Sequence, residues 1–147
     1  MKYFGTDGIR GKYGGPTVNE SFAYSFGRAL SDFLKDSTEQ AGKVLLGRDT
    51  RPSGESLMAA LSSGLEDGGS RAFDSGILPT PALAFGVLDS EFELGIMITA
   101  SHNPSPDNGF KIFSGKGEKL SVEQEKFIES VLDRSLLLPE KRKLPSE

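Results

Sequence analysis

The chain has no cysteine and a single histidine, His102, among its 147 residues. Without cysteine there is no disulfide, no thiolate nucleophile and no thiolate zinc site. One histidine excludes a metal centre built from several imidazoles. No apolar run reaches the roughly 20 residues that a spanning helix needs, and the start is not a basic segment followed by an apolar one. These absences predict a cytoplasmic setting with no membrane partner. Basic residues are also in short supply: 17 Lys and Arg face 21 Asp and Glu, for a net charge of −4. That balance argues against nucleic acid as a partner and leaves room only for a local basic pocket.

What is present is ordinary in bulk and unusual in one place. Hydrophobic content of 36% and charged content of 26% suit a soluble domain with one core. The unusual place is Thr99-Ala100-Ser101-His102-Asn103-Pro104, continued by Ser105-Pro106-Asp107-Asn108-Gly109-Phe110-Lys111. The run Leu94–Ile98 before it reads as a central strand. Pro104 and Pro106 can extend neither a ladder nor a helix. Ser101 therefore falls on a tight loop at the carboxyl end of a strand, where open α/β sheets place ligands.

The rest of the chain alternates strands and helices. Phe4–Gly11 with Gly14-Gly15-Pro16 reads as a tight, backbone-exposing loop. A helix capped by Asn19 carries Phe22, Phe26, Ala29, Leu30 and Phe33 and ends before Gly42. A strand, Val44–Gly47, runs into Arg48-Asp49-Thr50-Arg51. A second helix, with Ser53 as cap and Leu57, Ala60, Leu61, Gly64 and Leu65 as its stripe, stops at Gly68-Gly69. A strand over 71–75 precedes a short helix with Thr80 as cap, Pro81 at its first position and an end near Leu88. The strand Gly109–Phe113 follows Leu94–Ile98 so closely that the two are antiparallel. Ser121 and Gln124 form a capping box for a last helix. The predicted fold is a three-layer α/β/α domain over residues 1–138, with a mixed, mostly parallel four-stranded sheet. The polar segment 139–147 reads as an interdomain linker.

A serine hydroxyl needs a base, a charge or a metal to become a nucleophile. His102 is its sequence neighbour and points the other way on an extended loop, and no G-x-S-x-G elbow is present. A serine hydrolase is disfavoured. A phosphoserine, by contrast, needs backbone N–H groups and cations around nearly two negative charges. Lys111 fits as a point charge and Arg10 as a fork. The plainer readings are a turn-closing serine, a surface lysine and a structural arginine. For Arg48–Arg51 the plainer reading is preferred: turn caps and salt-bridged surface arginines. Ser114-Gly115-Lys116-Gly117 lacks the spacing of a phosphate loop, and no G-x-G-x-x-G follows a strand.

Thr99–Pro104 with Asn108–Lys111 resembles the active-serine loop of the α-D-phosphohexomutases. Phe4-Gly5-Thr6-Asp7-Gly8-Ile9-Arg10-Gly11, Gly47–Arg51 and Leu78-Pro79-Thr80-Pro81 match the same family in type and order, over about Lys2 to Asp133. Asp7, Asp107-Asn108-Gly109 and Phe113-Ser114 leading to Gly117–Leu120 are most similar to its phosphoglucosamine mutase branch. Phe110 and Ile112 suit the phosphomannomutase/phosphoglucomutase branch as well.

The resemblance implies an isomerase in which Ser101 carries a phosphoryl group, passes it to a hexose 6- or 1-phosphate, and recovers a phosphate from the bisphosphorylated sugar. It implies Arg10, His102 and Lys111 at the reacting centre, with Lys111 or Arg10 assisting proton transfer. Thr6, Asn103 and Gly109 would form the phosphate surroundings. Mg²⁺ would meet the Ser101 phosphate, with its remaining ligands in a domain not present here. Family members have four domains, and this chain matches the first. The expected partners are therefore hexose phosphates, hexose bisphosphates and the remaining mutase domains. The chain alone is expected to be inactive and to self-associate through a face that other domains would cover. The rival from another class is a non-catalytic module that binds phosphosugars or a mutase subunit.

Overall fold

The computed structural model describes residues 1–136, so the linker expected from Pro139 onward lies outside the described residues. The elements in order are β1 (Ile9–Lys12), α1 (Glu20–Thr38), β2 (Lys43–Arg48), α2 (Gly54–Asp67), β3 (Arg71–Ile77), α3 (Thr80–Asp89), β4 (Leu94–Ile98), β5 (Asp107–Ser114) and α4 (Val122–Leu136). The α/β/α architecture is as expected, but the sheet has five strands rather than four, in the order β1-β5-β4-β2-β3. The added strand is β1, inside the stretch read as a glycine loop. Its four residues carry no alternation that a local pattern could reveal. Pairing makes it a strand, with Ile9 opposite Phe110 and Lys12 opposite Asp107. β2 is parallel to β3 and β4, while β5 is antiparallel to both β4 and β1. One strand therefore runs against the other four, as anticipated for Gly109–Phe113.

Caps explain most element ends. Asn19 accepts from the Phe22 N–H at 2.7 Å and starts α1. Ser121 and Gln124 exchange side chain-to-backbone bonds in both directions and start α4. Two expected caps differ. Ser53 makes no capping bond to α2; its hydroxyl instead accepts from Asn108 Nδ2 at 2.8 Å. Pro79 takes the cap position of α3, and Thr80 is its first helical residue.

The core lies on one face of the sheet. Val44, Leu46, Leu94, Ile96, Ile98, Phe110 and Ile112 point into it and meet α1, α2 and α4. α1 and α2 cross at glycines: a Cβ on Gly64 would stand 2.1 Å from the Tyr24 carbonyl oxygen, and one on Gly27 would stand 2.5 Å from that of Leu61. The opposite face is covered by α3, whose Leu83 and Val87 sit against Gly47 and Gly95. β4, covered from both sides, is buried at all five positions. At the start of the chain, the buried carboxylate of Glu129 accepts the backbone N–H groups of Lys2, Tyr3 and Phe4 at 2.7–3.0 Å. This fixes where the segment leading to β1 begins.

Candidate functional site

The site forms where β4 gives out. Thr99 N–H still donates to the Gly109 carbonyl at 3.0 Å, and the chain then leaves the sheet. Residues 101–106 are exposed. Ser101 adopts φ +55°, a left-handed conformation that a side chain-bearing residue rarely takes. Its hydroxyl accepts a hydrogen bond from Arg10 Nη2 at 3.1 Å. Arg10 reaches it because β1 pairs with β5 and sets Arg10 opposite Gly109. Two candidates 91 positions apart in sequence thus meet through the strand that the sequence did not reveal.

The loop before β1 is shaped by Gly8. It has φ +87°, and a Cβ there would lie 2.2 Å from the Phe110 carbonyl oxygen, so only glycine lets this loop cross β5. Asp7 stands 3.9 Å from Arg10, and the Thr6 carbonyl accepts from Lys119 Nζ at 2.5 Å. Gly109 is equally confined, with the Ile9 carbonyl oxygen 2.2 Å from where a Cβ would be. Asn103 Nδ2 donates to Asp107 at 3.1 Å and braces the loop.

The remaining candidates are less tightly gathered. His102 is exposed, and the Ser101 hydroxyl is held by Arg10, so the geometry forms no serine–histidine pair. Lys111 lines a hollow beside the Gly5–Gly8 turn, together with Phe4, Asp7, Gly8, Ile112, Phe113, Lys119 and Glu125. Glu125 is 5% exposed. Burial pushes its pKa up; the charge of Lys119 pulls it down and that of Glu129 adds to the rise.

Arg51, read from sequence as a surface arginine, is the group that sequence reasoning missed. Its side chain is 9% exposed and paired with Asp49 at 3.1 Å. Nη1 donates to the carbonyls of Asn103, Pro104 and Asp107 at 2.8–3.1 Å, and Nη2 to that of Ser101 at 2.7 Å. Strand order supplies the explanation. β2 lies next to β4, so the loop after β2 abuts the serine loop. A sequence gives strands but not their neighbours.

Magnesium needs several hard oxygen ligands in octahedral array. Among the described residues no group of three or more His, Cys, Asp or Glu is placed to hold a metal. Asp49 is committed to Arg51 and Thr99, and Asp107 to Asn103. These residues by themselves do not fit a magnesium site.

Fold and site together define an α/β/α domain that presents an arginine-bound serine at the carboxyl edge of its sheet. Residues 1–137 match the model of the phosphoglucomutase/phosphomannomutase family, alpha/beta/alpha domain I. The chain is 45% identical over 143 residues to the phosphoglucosamine mutase of Histophilus somni strain 2336, covering 97% of this chain and 32% of that protein. It is 42% identical over 141 residues to the phosphoglucosamine mutase of Clavibacter sepedonicus, covering 94% and 31%. Among solved structures, a putative phosphomannomutase from Thermus thermophilus superposes with a TM-score of 0.80 at 32% identity, over 88% of this chain and 29% of that one. The chain belongs to the phosphoglucomutase/phosphomannomutase family and corresponds to its domain I. It spans about a third of the length of these relatives.

Proposed function

We propose that this chain is the phosphoserine-bearing domain of a phosphohexomutase that interconverts glucosamine 6-phosphate and glucosamine 1-phosphate. The observation that carries the reading is the 3.1 Å bond from Arg10 to the Ser101 hydroxyl on a loop at the end of β4. A phosphoryl group on Ser101 would lie against a guanidinium fork. In transfer, the P–O bond to Ser101 Oγ breaks as the bond to a sugar hydroxyl forms. The hydroxyl proton ends on Ser101 Oγ as that oxygen is released, its transfer assisted by Lys111 or Arg10. The second half-reaction runs the same exchange backwards from the other phosphate of the bisphosphorylated sugar. Such transfers depend mainly on positioning and charge. His102, Thr6, Asn103 and Gly109 belong to the surroundings of the transferring group.

In this reading residues 1–138 form the domain, and the polar composition of 139–147, outside the described residues, is that of an interdomain linker. The partners are hexose phosphates, hexose bisphosphates and the other mutase domains. The setting is cytoplasmic, and any magnesium that neutralised a Ser101 phosphate would need carboxylates beyond those gathered here. Glucosamine is favoured over mannose or glucose because the relatives above 40% identity are named phosphoglucosamine mutases, whereas the phosphomannomutase structure stands at 32%.

The test replaces the corresponding third of the Histophilus somni relative with this chain. The chimera is expected to turn over glucosamine 6-phosphate faster than the mannose and glucose phosphates, and to carry phosphate on Ser101 by peptide mapping. Ser101→Ala is expected to lose at least about a thousandfold in kcat. The 147-residue chain alone is expected to give no turnover. Activity that survives Ser101→Ala would sink the proposal.

A further inference from the structure

The backbone of Ser101 is held at both ends by one circuit of hydrogen bonds. Its N–H donates to Thr99 Oγ1 at 3.0 Å. The Thr99 hydroxyl donates to Asp49 Oδ2 at 2.6 Å. Asp49 Oδ2 also accepts from Arg51 Nε at 3.1 Å, and Oδ1 accepts from the Arg51 backbone N–H at 3.2 Å. Arg51 Nη2 closes the circuit on the Ser101 carbonyl at 2.7 Å. The serine inside the circuit is the one at φ +55°. A left-handed residue with a side chain is strained and persists only where its surroundings over-determine it.

We propose that Asp49, Arg51 and Thr99 are positioning residues that lock Ser101 in its left-handed conformation and so aim its hydroxyl at the reacting group. Three observations separate this role from contact with substrate. A guanidinium has five N–H donors, and Arg51 turns its Nε, Nη1 and Nη2 all to Asp49 and four loop carbonyls. Its side chain is only 9% exposed. Its charge is matched by Asp49, so the circuit adds no net cation for a phosphate, and that task stays with Arg10. A loop shaped in advance avoids the cost of being ordered during transfer.

The inference rests on the reading of Ser101 as the reacting residue, and the experiment keeps the two apart. Arg51→Ala, Arg51→Lys and Thr99→Val are made in the 147-residue chain. Backbone couplings and carbon shifts at Ser101 report the sign of φ, and amide exchange is followed at Ser101, Asn103 and Asp107. Arg51→Ala and Thr99→Val are expected to lose the left-handed signature at Ser101. Exchange at these three amides should rise at least tenfold in Arg51→Ala, and at Ser101 in Thr99→Val, with β2 and α1 unchanged. Arg51→Lys should not restore the signature, because an ammonium cannot present a planar fork. Thr99→Val keeps the side chain's shape and removes the two hydrogen bonds of one hydroxyl, so it decides the matter if Arg51→Ala does not fold. A Ser101 that stays left-handed and protected in the folded variants overturns the lock.

Phosphate is mapped in the chimera on the Histophilus somni relative. Left-handed geometry that depends on Arg51, in a protein that never carries phosphate on Ser101, keeps the lock and removes the phosphoserine reading. Phosphate on Ser101 with geometry indifferent to Arg51 does the reverse.

Discussion

Glu125 shows what a single residue can cost. It is 5% exposed, and the charge of Glu129 reaches it. Burial raises its pKa; the opposing pull of Lys119 does not cancel the rise, to which Glu129 adds. A carboxyl group whose folded pKa is raised favours folding while protonated, and that contribution is lost as pH rises through the folded value. Glu125→Gln is therefore expected to raise the thermal midpoint at about pH 7 relative to its effect in acid. The gain should shrink to nothing below the ordinary glutamate range, near pH 4. Calorimetry across that range would detect it, and a midpoint difference independent of pH would contradict the assignment. At this scale the sequence was legible where chemistry is local. Ser101 stood out because strand, hydroxyl and prolines are adjacent. Arg51 did not, because its value lies in carbonyls contributed by a loop 50 or more residues away.

Elements were legible where their own periodicity or caps define them, as with α1, β4 and the capping box of α4. They were illegible where a partner defines them. β1 is a strand only because β5 offers it an edge, and the crossing of α1 and α2 depends on which glycines face each other. Gly64 was counted in the apolar stripe of its helix, but its actual role is to let the Tyr24 carbonyl approach. In an isolated helix alanine would be better than glycine by about 1 kcal/mol. Here the sign reverses, because a Cβ at 2.1 Å from a backbone oxygen forces two helices apart. Gly64→Ala is expected to cost about 1–3 kcal/mol net. The reading is the urea midpoint, with the slope unchanged. An alanine variant as stable as wild type would show that the crossing can relax.

The whole molecule is covered unevenly. Three helices shelter one face of the sheet, while α3 shelters the other and presents Phe85 and Leu88, 66% and 56% exposed, one turn apart on its outer side. β3 ends the sheet with exposed Ile77. The phosphoglucosamine mutase relatives it matches are about three times as long as this chain, and an exposed apolar strip of this kind invites a covering surface. A second copy of the 147-residue chain can take the same place. Sedimentation velocity is expected to show association that grows with concentration, weakened by Phe85→Glu with Leu88→Glu. A monomer at every concentration would mean that the face is tolerated in water.

The pairing of β1 with β5 also has a consequence in time. About 100 residues separate Ile9 from Phe110. At a synthesis rate of roughly 5–20 residues per second, β1 leaves the ribosome on the order of 5–20 s before its partner. During that interval β2, β3 and β4 can assemble with α1 and α2, while Arg10 waits on an unpaired strand. The serine and its arginine are therefore joined in the final act of building the sheet, and a nascent chain halted after β4 holds Arg10 and Arg51 but neither the serine nor the strand that brings Arg10 to it.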